Sequence, residues 1–216
     1  LSNGGLKVNI SGIRRGLLRI IGQDSKGRMI AENQTVLKNG KPLSTDSDDW
    51  HFAIIYNIMV DRFLDGDPSN NKPIHDSKLP EIANFLGGDF AGIQQKITEG
   101  YFNELGVNTL WISPIQKQPD SSWVEWIPPH RTFSGYHGYW PVSSRKTEPR
   151  FGSNEEFQSI VKNAHHSGTK VILDFVSNHV HQNHPYFKDH PNWFGHVNLP
   201  DGRINIRQWD GDTRLT

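Results

Sequence analysis

The chain has 216 residues, of which 34% are hydrophobic, 20 are glycine and 21% are charged, a composition that suits a packed core and excludes fibres and wholesale disorder. Lys plus Arg number 23 against 23 Asp plus Glu, so no basic excess exists to neutralise a nucleic-acid backbone or an anionic bilayer. The absence of cysteine excludes disulfide scaffolds, thiol catalysis and cysteine-ligated zinc.

In chain order, the opening Leu1-Ser-Asn-Gly-Gly carries neither a charged n-region nor an apolar h-region, so no leader is expected and the N-terminus reads as cut. Alternating Leu6 to Ile10, then Gly16 to Ile21, the turn Asp24-Ser-Lys-Gly27 and the return Arg28 to Val36 predict a β-rich, sandwich-like module. A second turn, Lys38-Asn39-Gly40-Lys41, holds the Asn-Gly pair that tolerates positive φ at both central positions. The polar string Ser44 to Asp49 reads as a linker, so the first domain is expected to span 1–49. The longest apolar run, Phe52 to Tyr56, is far short of the ~20 residues a membrane span needs.

After Trp50, short apolar strands alternate with helix-length amphipathic segments, the pattern of βα units on a parallel sheet. Strands are predicted at Ala53–Val60, Asn108–Ser113 and Lys170–Val176. Helices are predicted from Gly92 to Leu105, with Ile93, Ile97, Tyr101 and Leu105 at i, i+4 spacing and Gly106 as C-cap, and from Asn154 to a stop at Gly168. The class is therefore α/β over 50–177. From Asn178 to Thr216 a stretch rich in His, Pro and Asn lacks helical period and reads as an excursion. Three βα units cannot close a barrel of about eight strands.

Three clusters carry possible chemistry. Asp65, Asp67, Asn70 and Asn71 follow the first strand, with Gly87 and Asp89 further on; these hard oxygen donors could cage calcium, and the same residue types also make a plain surface turn. Tyr136-His137-Gly-Tyr139-Trp140 could stack on a sugar and donate to a hydroxyl, or form a packed aromatic loop. Asp174, Asn178 and His179 lie at the C-terminal end of the third strand, where parallel barrels build their active sites. His179, His181 and His184 invite a zinc reading, which imidazole spacing on an irregular segment supports only weakly. Asn9-Ile-Ser11 and Asn33-Gln-Thr35 fit the glycosylation triplet, a frequent chance match.

Together and in this order, four segments resemble the alpha-amylase family of glycoside hydrolases: Ile55 to Asn71, Gly87 to Pro114, Tyr136-His-Gly-Tyr-Trp140 and Asp174-Phe-Val-Ser-Asn-His179. The resemblance implies the first three units of a TIM (β/α)8 barrel, with 178–216 as the start of an irregular inserted domain. It implies that Tyr139, with His137 beside it, stacks on the glucose next to the scissile bond, that His179 contacts that same sugar, that Asp174 supports the site, and that Trp140 lines it. It implies Ca2+, held by Asn178 at one site and by Asp65, Asp67, Asn70, Asn71, Gly87 and Asp89 at another.

The implied partner is an α-glucan and the implied mechanism is retaining. The nucleophile and acid/base belong after strands four and five, and no Gly-x-Arg-x-Asp precedes Thr216. These residues alone are thus expected to be inactive. A 4-α-glucanotransferase or a non-catalytic glucan-binding relative is the alternative. Trp123 and Trp126 are either a sugar contact or a packed lid, and the module before Trp50 could bind carbohydrate or mediate dimerisation. A bacterial periplasmic or secreted setting follows only from family habit.

Overall fold

The structure, a computed structural model, describes residues 11–12, 15–38, 40–42, 50, 53–125 and 128–195. The expected strand at Leu6–Ile10, the turn residue Asn39, the linker Ser44 to Asp49, Trp126 and the stretch from His196 lie outside the described residues. The chain falls into two compact units, Leu1–Ile54 and Ile55–Thr216.

In the first unit β1 (Arg15–Gln23) pairs antiparallel with β2 (Met29–Lys38), and β2 pairs with the two-residue β3 (Lys41–Pro42). Asp24 closes the first hairpin, because its carboxylate accepts the backbone N–H groups of Lys26 and Arg28 and the Arg28 side chain at 2.7 Å.

The second unit is built on a parallel sheet of β4 (Ile55–Ile58), β5 (Thr109–Ile112) and β8 (Lys170–Leu173), in the order β4-β5-β8. Tyr56, Ile58, Leu110, Ile112 and Val171 face the hydrophobic core, and the alternate residues Ile55, Asn57 and Trp111 take the other face. Onto the core face pack α2 (Phe90–Thr98), through Phe90, Ile93 and Ile97, and α4 (Asn154–His166), through Ile160 and Ala164. Burying each such Phe or Ile contributes about 1.5–3 kcal/mol.

Three boundaries differ from the sequence expectation. The first strand stops at Ile58, because the Val60 N–H is taken by Ser113 Oγ at 3.1 Å and the chain turns into the short α1 (Val60–Phe63). The first helix starts earlier, at Phe90, capped by Asp89. It breaks at Gly100, whose φ of 77° ends α2 before the separate turn α3 (Tyr101–Glu104). The third strand ends at Leu173, level with the end of its neighbour β5 at Ile112. The second helix fits the expectation: Ser153 and Glu156 form a reciprocal capping box, and Gly168 follows at φ 78°.

Two elements gave no sequence signal. A small hairpin, β6 (Trp123–Val124) with β7 (Thr132–Phe133), sits in the long connection after β5. In the stretch read as having no helical period, α5 (Pro185–Asp189) begins on the His184 cap with Pro at its first position; five residues are too few for a period to show.

Candidate functional site

Parallel pairing puts the C-terminal ends of β4, β5 and β8 on one edge, and the expected sugar-binding residues gather there. Asp174 follows β8 directly, and its Oδ2 accepts the Tyr139 phenol at 2.5 Å. His179 Nε2 donates to the Tyr139 carbonyl at 2.8 Å. The His137 ring stacks against Tyr139 (centroids 5.9 Å, 23°) and meets the Trp140 ring edge-on at 4.7 Å. So His137, Tyr139, Trp140, Asp174 and His179 form one platform, with the Tyr139 residue 40% exposed.

Burial, aided by the charges of His179 and Arg62, pulls His137 down to about 4, so the ring is neutral near pH 7. Its Nδ1 accepts the Tyr139 backbone N–H at 3.0 Å, which places the proton on Nε2. The imidazole is thereby a neutral donor. Burial and the bond to Asp174 push Tyr139 up to about 12, so the phenol stays protonated. An aromatic face flanked by a neutral N–H donor and a carboxylate suits a polyol with an apolar side.

Behind the platform stands Arg62. Its guanidinium lies 3.8 Å from the Tyr136 ring centroid, donates to the Asn84 and Ile82 carbonyls at 2.9 and 2.8 Å, and pairs with Asp61 at 2.5 Å. Tyr136 in turn meets His137 at 5.4 Å. Asp61 is 2% exposed; burial pushes its carboxyl up to about 6, against the Leu86 N–H bond and the Arg62 charge.

The expected calcium residues also converge, with divided duties. Asp89 is fully buried and accepts four N–H bonds: from Gly66 and Gly92 on Oδ1, and from Asp67 and Asn70 Nδ2 on Oδ2. It anchors the loop to the start of α2. Asn71 Nδ2 donates to Asp65 at 2.6 Å, and a Cβ at Gly87, φ +97°, would meet Asn71 Oδ1 at 2.5 Å. Asn70 Oδ1 is buried without a partner. A buried orphan acceptor in a loop rich in carboxylate and amide oxygens fits a cation such as calcium. Among the described residues no three His, Asp or Glu side chains form a ready cluster, so this fit relies on amide oxygens. Asn178, next to His179 in the chain, is exposed.

The histidines weighed for zinc point to separate tasks. His181 packs on Trp123 at 4.5 Å, and burial lowers it to about 4. His184 Nδ1 accepts the Tyr186 N–H, so its Nε2 proton is donated to Ser144 Oγ at 3.1 Å. That tautomer bars His184 from taking a proton from Ser144, which removes a Ser–His nucleophile pair. A groove of 560 Å³ between α2 and α4 lies on the helical side, lined by none of the platform residues.

Sequence reasoning missed the support of the platform. Glu148 is fully buried, bonds Arg150 Nη1 at 2.6 Å and accepts the Gln118 N–H at 2.8 Å; Arg150 also reaches Asp120 at 2.9 Å. Nothing periodic marks these residues, and no local signal could have found them.

A parallel sheet with its polar and aromatic loops gathered at the C-terminal strand ends is the arrangement on which α/β proteins, open-sheet and TIM-barrel alike, build their sites. The description "Alpha amylase, catalytic domain" matches residues 57–198, and the chain belongs to the alpha-amylase family. It is 39% identical over 156 residues to a cyclomaltodextrin glucanotransferase of Niallia circulans, matching 69% of this chain and 20% of that one. The chain thus spans about a fifth of the length of the curated relatives it matches. Among solved structures, an Anoxybacillus alpha-amylase gives a TM-score of 0.57 at 36% identity, covering 74% of this chain and 31% of that one. The alpha-amylase of Geobacillus thermoleovorans, in complex with acarbose, gives 0.53 at 33% identity, covering 76% and 31%. Its relatives thus include both hydrolases and transferases of one family.

Proposed function

We propose that this chain is the N-terminal part of a retaining enzyme that acts on α-glucosidic bonds of starch, maltodextrin or related α-glucans. The carrying observation is the platform: Tyr139 held by Asp174 and by the neutral His137, beside Trp140 and His179. In this reading residues from Ile55 supply the first three βα units of the barrel, and the segment after Asn178 opens an inserted domain. The hairpin of β1 and β2 belongs to a separate β module able to pair with a second copy. The nucleophile and the acid/base are not among these 216 residues, so this stretch alone binds glucan without cleaving it.

Calcium is proposed at the loop of Asp65, Asp67, Asn70, Asn71, Gly87 and Asp89, with Asn178 serving a second ion. The orphaned Asn70 Oδ1 supports the first site. When bound, the ion supplies a fixed positive charge that ties the loop to α2.

A 4-α-glucanotransferase is the second reading, favoured by the names of the relatives at 39–40% identity. Transfer and hydrolysis differ in whether sugar or water takes the intermediate. Calorimetric titration with maltoheptaose tests the binding claim: affinity is expected and is lost in Tyr139→Ala, whereas no binding, or binding indifferent to that change, overturns it. Release of reducing ends from starch by residues 1–216 alone overturns the placement of the catalytic carboxylates elsewhere.

A further inference from the structure

We propose that Gln118 is a positioning residue for the glucan platform, the buried template on which the loop carrying Tyr139 and Trp140 is shaped. The proposal rests on the sugar-binding reading of that platform.

The Gln118 side chain is fully buried and uses its whole amide on three backbone groups. Nε2 donates to the Gln116 carbonyl at 2.8 Å and to the Gly138 carbonyl at 2.9 Å, and Oε1 accepts the Trp140 N–H at 2.8 Å. The orientation of the amide is chemically determined, since two partners can only accept and the third can only donate. Two of the three bonds bracket Tyr139, on the residue before it and the residue after it. The phenol's direction toward Asp174 therefore depends on a side chain that touches no ligand.

The fit extends to the loop's glycines. A Cβ at Gly135 would stand 2.8 Å from Gln118 Cβ, and one at Gly138, φ +87°, would stand 2.2 Å from the Pro114 carbonyl. The Gly-x-x-Gly spacing thus lets the backbone lie against Gln118 and the end of β5. Gln118 is itself anchored from behind, where its N–H is held by the buried Glu148 carboxylate, paired with Arg150. A buried amide with every group satisfied specifies one conformation, and removing it strands three backbone groups.

The test compares wild type, Gln118→Met and Tyr139→Ala in the full chain, measuring maltoheptaose affinity by calorimetry well below each variant's melting temperature, and the melting temperature itself. Gln118→Met keeps the volume and removes all three bonds. About a tenfold loss of affinity in the folded protein is expected, with Tyr139→Ala losing at least as much. A merely structural Gln118 lowers the melting temperature and leaves affinity unchanged, which overturns the proposal. If Gln118→Met does not fold, Gln118→Glu keeps the acceptor for Trp140 and, as the neutral acid that burial against two carbonyls favours, donates to one of them only, so a smaller affinity loss is expected; wild-type affinity there overturns the proposal equally. Failure of wild type to bind overturns the sugar reading, and this one with it. Loss in Tyr139→Ala with none in either Gln118 variant overturns this inference alone.

Discussion

The platform and the acidic loop are finished in different ways. Around Tyr139 the groups satisfy one another: phenol to Asp174, carbonyl to His179, amide to His137 Nδ1. Around Asp89 the carboxylate is satisfied by four N–H donors, yet Asn70 Oδ1 is buried with none. A site for a neutral polyol can be complete before the ligand arrives, because it offers shape and uncharged donors. A site for a cation must keep an acceptor unmatched, since any donor that satisfied it would compete with the ion. The two regions therefore respond oppositely to substitution, the platform losing affinity and the loop losing stability linked to an ion.

The largest effect sought is on the support of the platform. Glu148→Ala leaves the Arg150 guanidinium without its buried partner and frees the Gln118 N–H; a loss of about 3–5 kcal/mol is expected, read by chemical denaturation. A shift of less than ~1 kcal/mol would mean that the pair is not desolvated as described.

Calcium separates the two regions next. Raising it from chelated to ~100 times its dissociation constant is expected to stabilise wild type by about 2.7 kcal/mol and Asn70→Ala by much less. Equal melting curves with chelator and with calcium remove the ion from the loop.

Tyr139→Phe sharpens the platform side. It keeps the ring and removes one bond to a carboxylate, so a loss of about 1–2 kcal/mol in maltoheptaose affinity is expected, smaller than for Tyr139→Ala. Equal losses would show that the phenol, and not the ring face, carries binding.

The acid limb tests the burial of the platform histidine. His137 is lowered to about 4 in the folded state against an ordinary 6.5, so the unfolded chain takes up a proton first as pH falls. Its contribution is present above pH 6.5 and is lost as pH falls toward 4. His137→Gln should flatten the melting temperature against pH within that window, where His181, lowered similarly by burial, continues to contribute. An unchanged slope would contradict the burial of the imidazole.

Much of this was legible in residue order. The turn chemistry of Asp24 to Gly27, the amphipathic spacing from Asn154 and the strand at Thr109 all appear where local pattern is strong. The candidate ligands were legible because Asp, Asn, Tyr and His stood in motifs. What stayed hidden depends on contacts between distant segments. Ser113 ends the first strand by capturing the Val60 amide, and Gln118 meets Gly138 and Trp140 some twenty positions away. The helix break at Gly100 was hidden for a different reason: Tyr101 and Leu105 kept the periodicity going beyond the glycine, although Leu105 is 53% exposed.

The bond from the Leu86 N–H to Asp61 has a consequence for observation. Asp61 is paired to Arg62, which lies on Tyr136, while Leu86 directly precedes Gly87 of the acidic loop. One amide thus sits at the junction of both regions. Its exchange with solvent deuterium is expected to slow when either region is occupied, so one peptide mass followed over time, with the ion and the sugar added one at a time, reports on both regions.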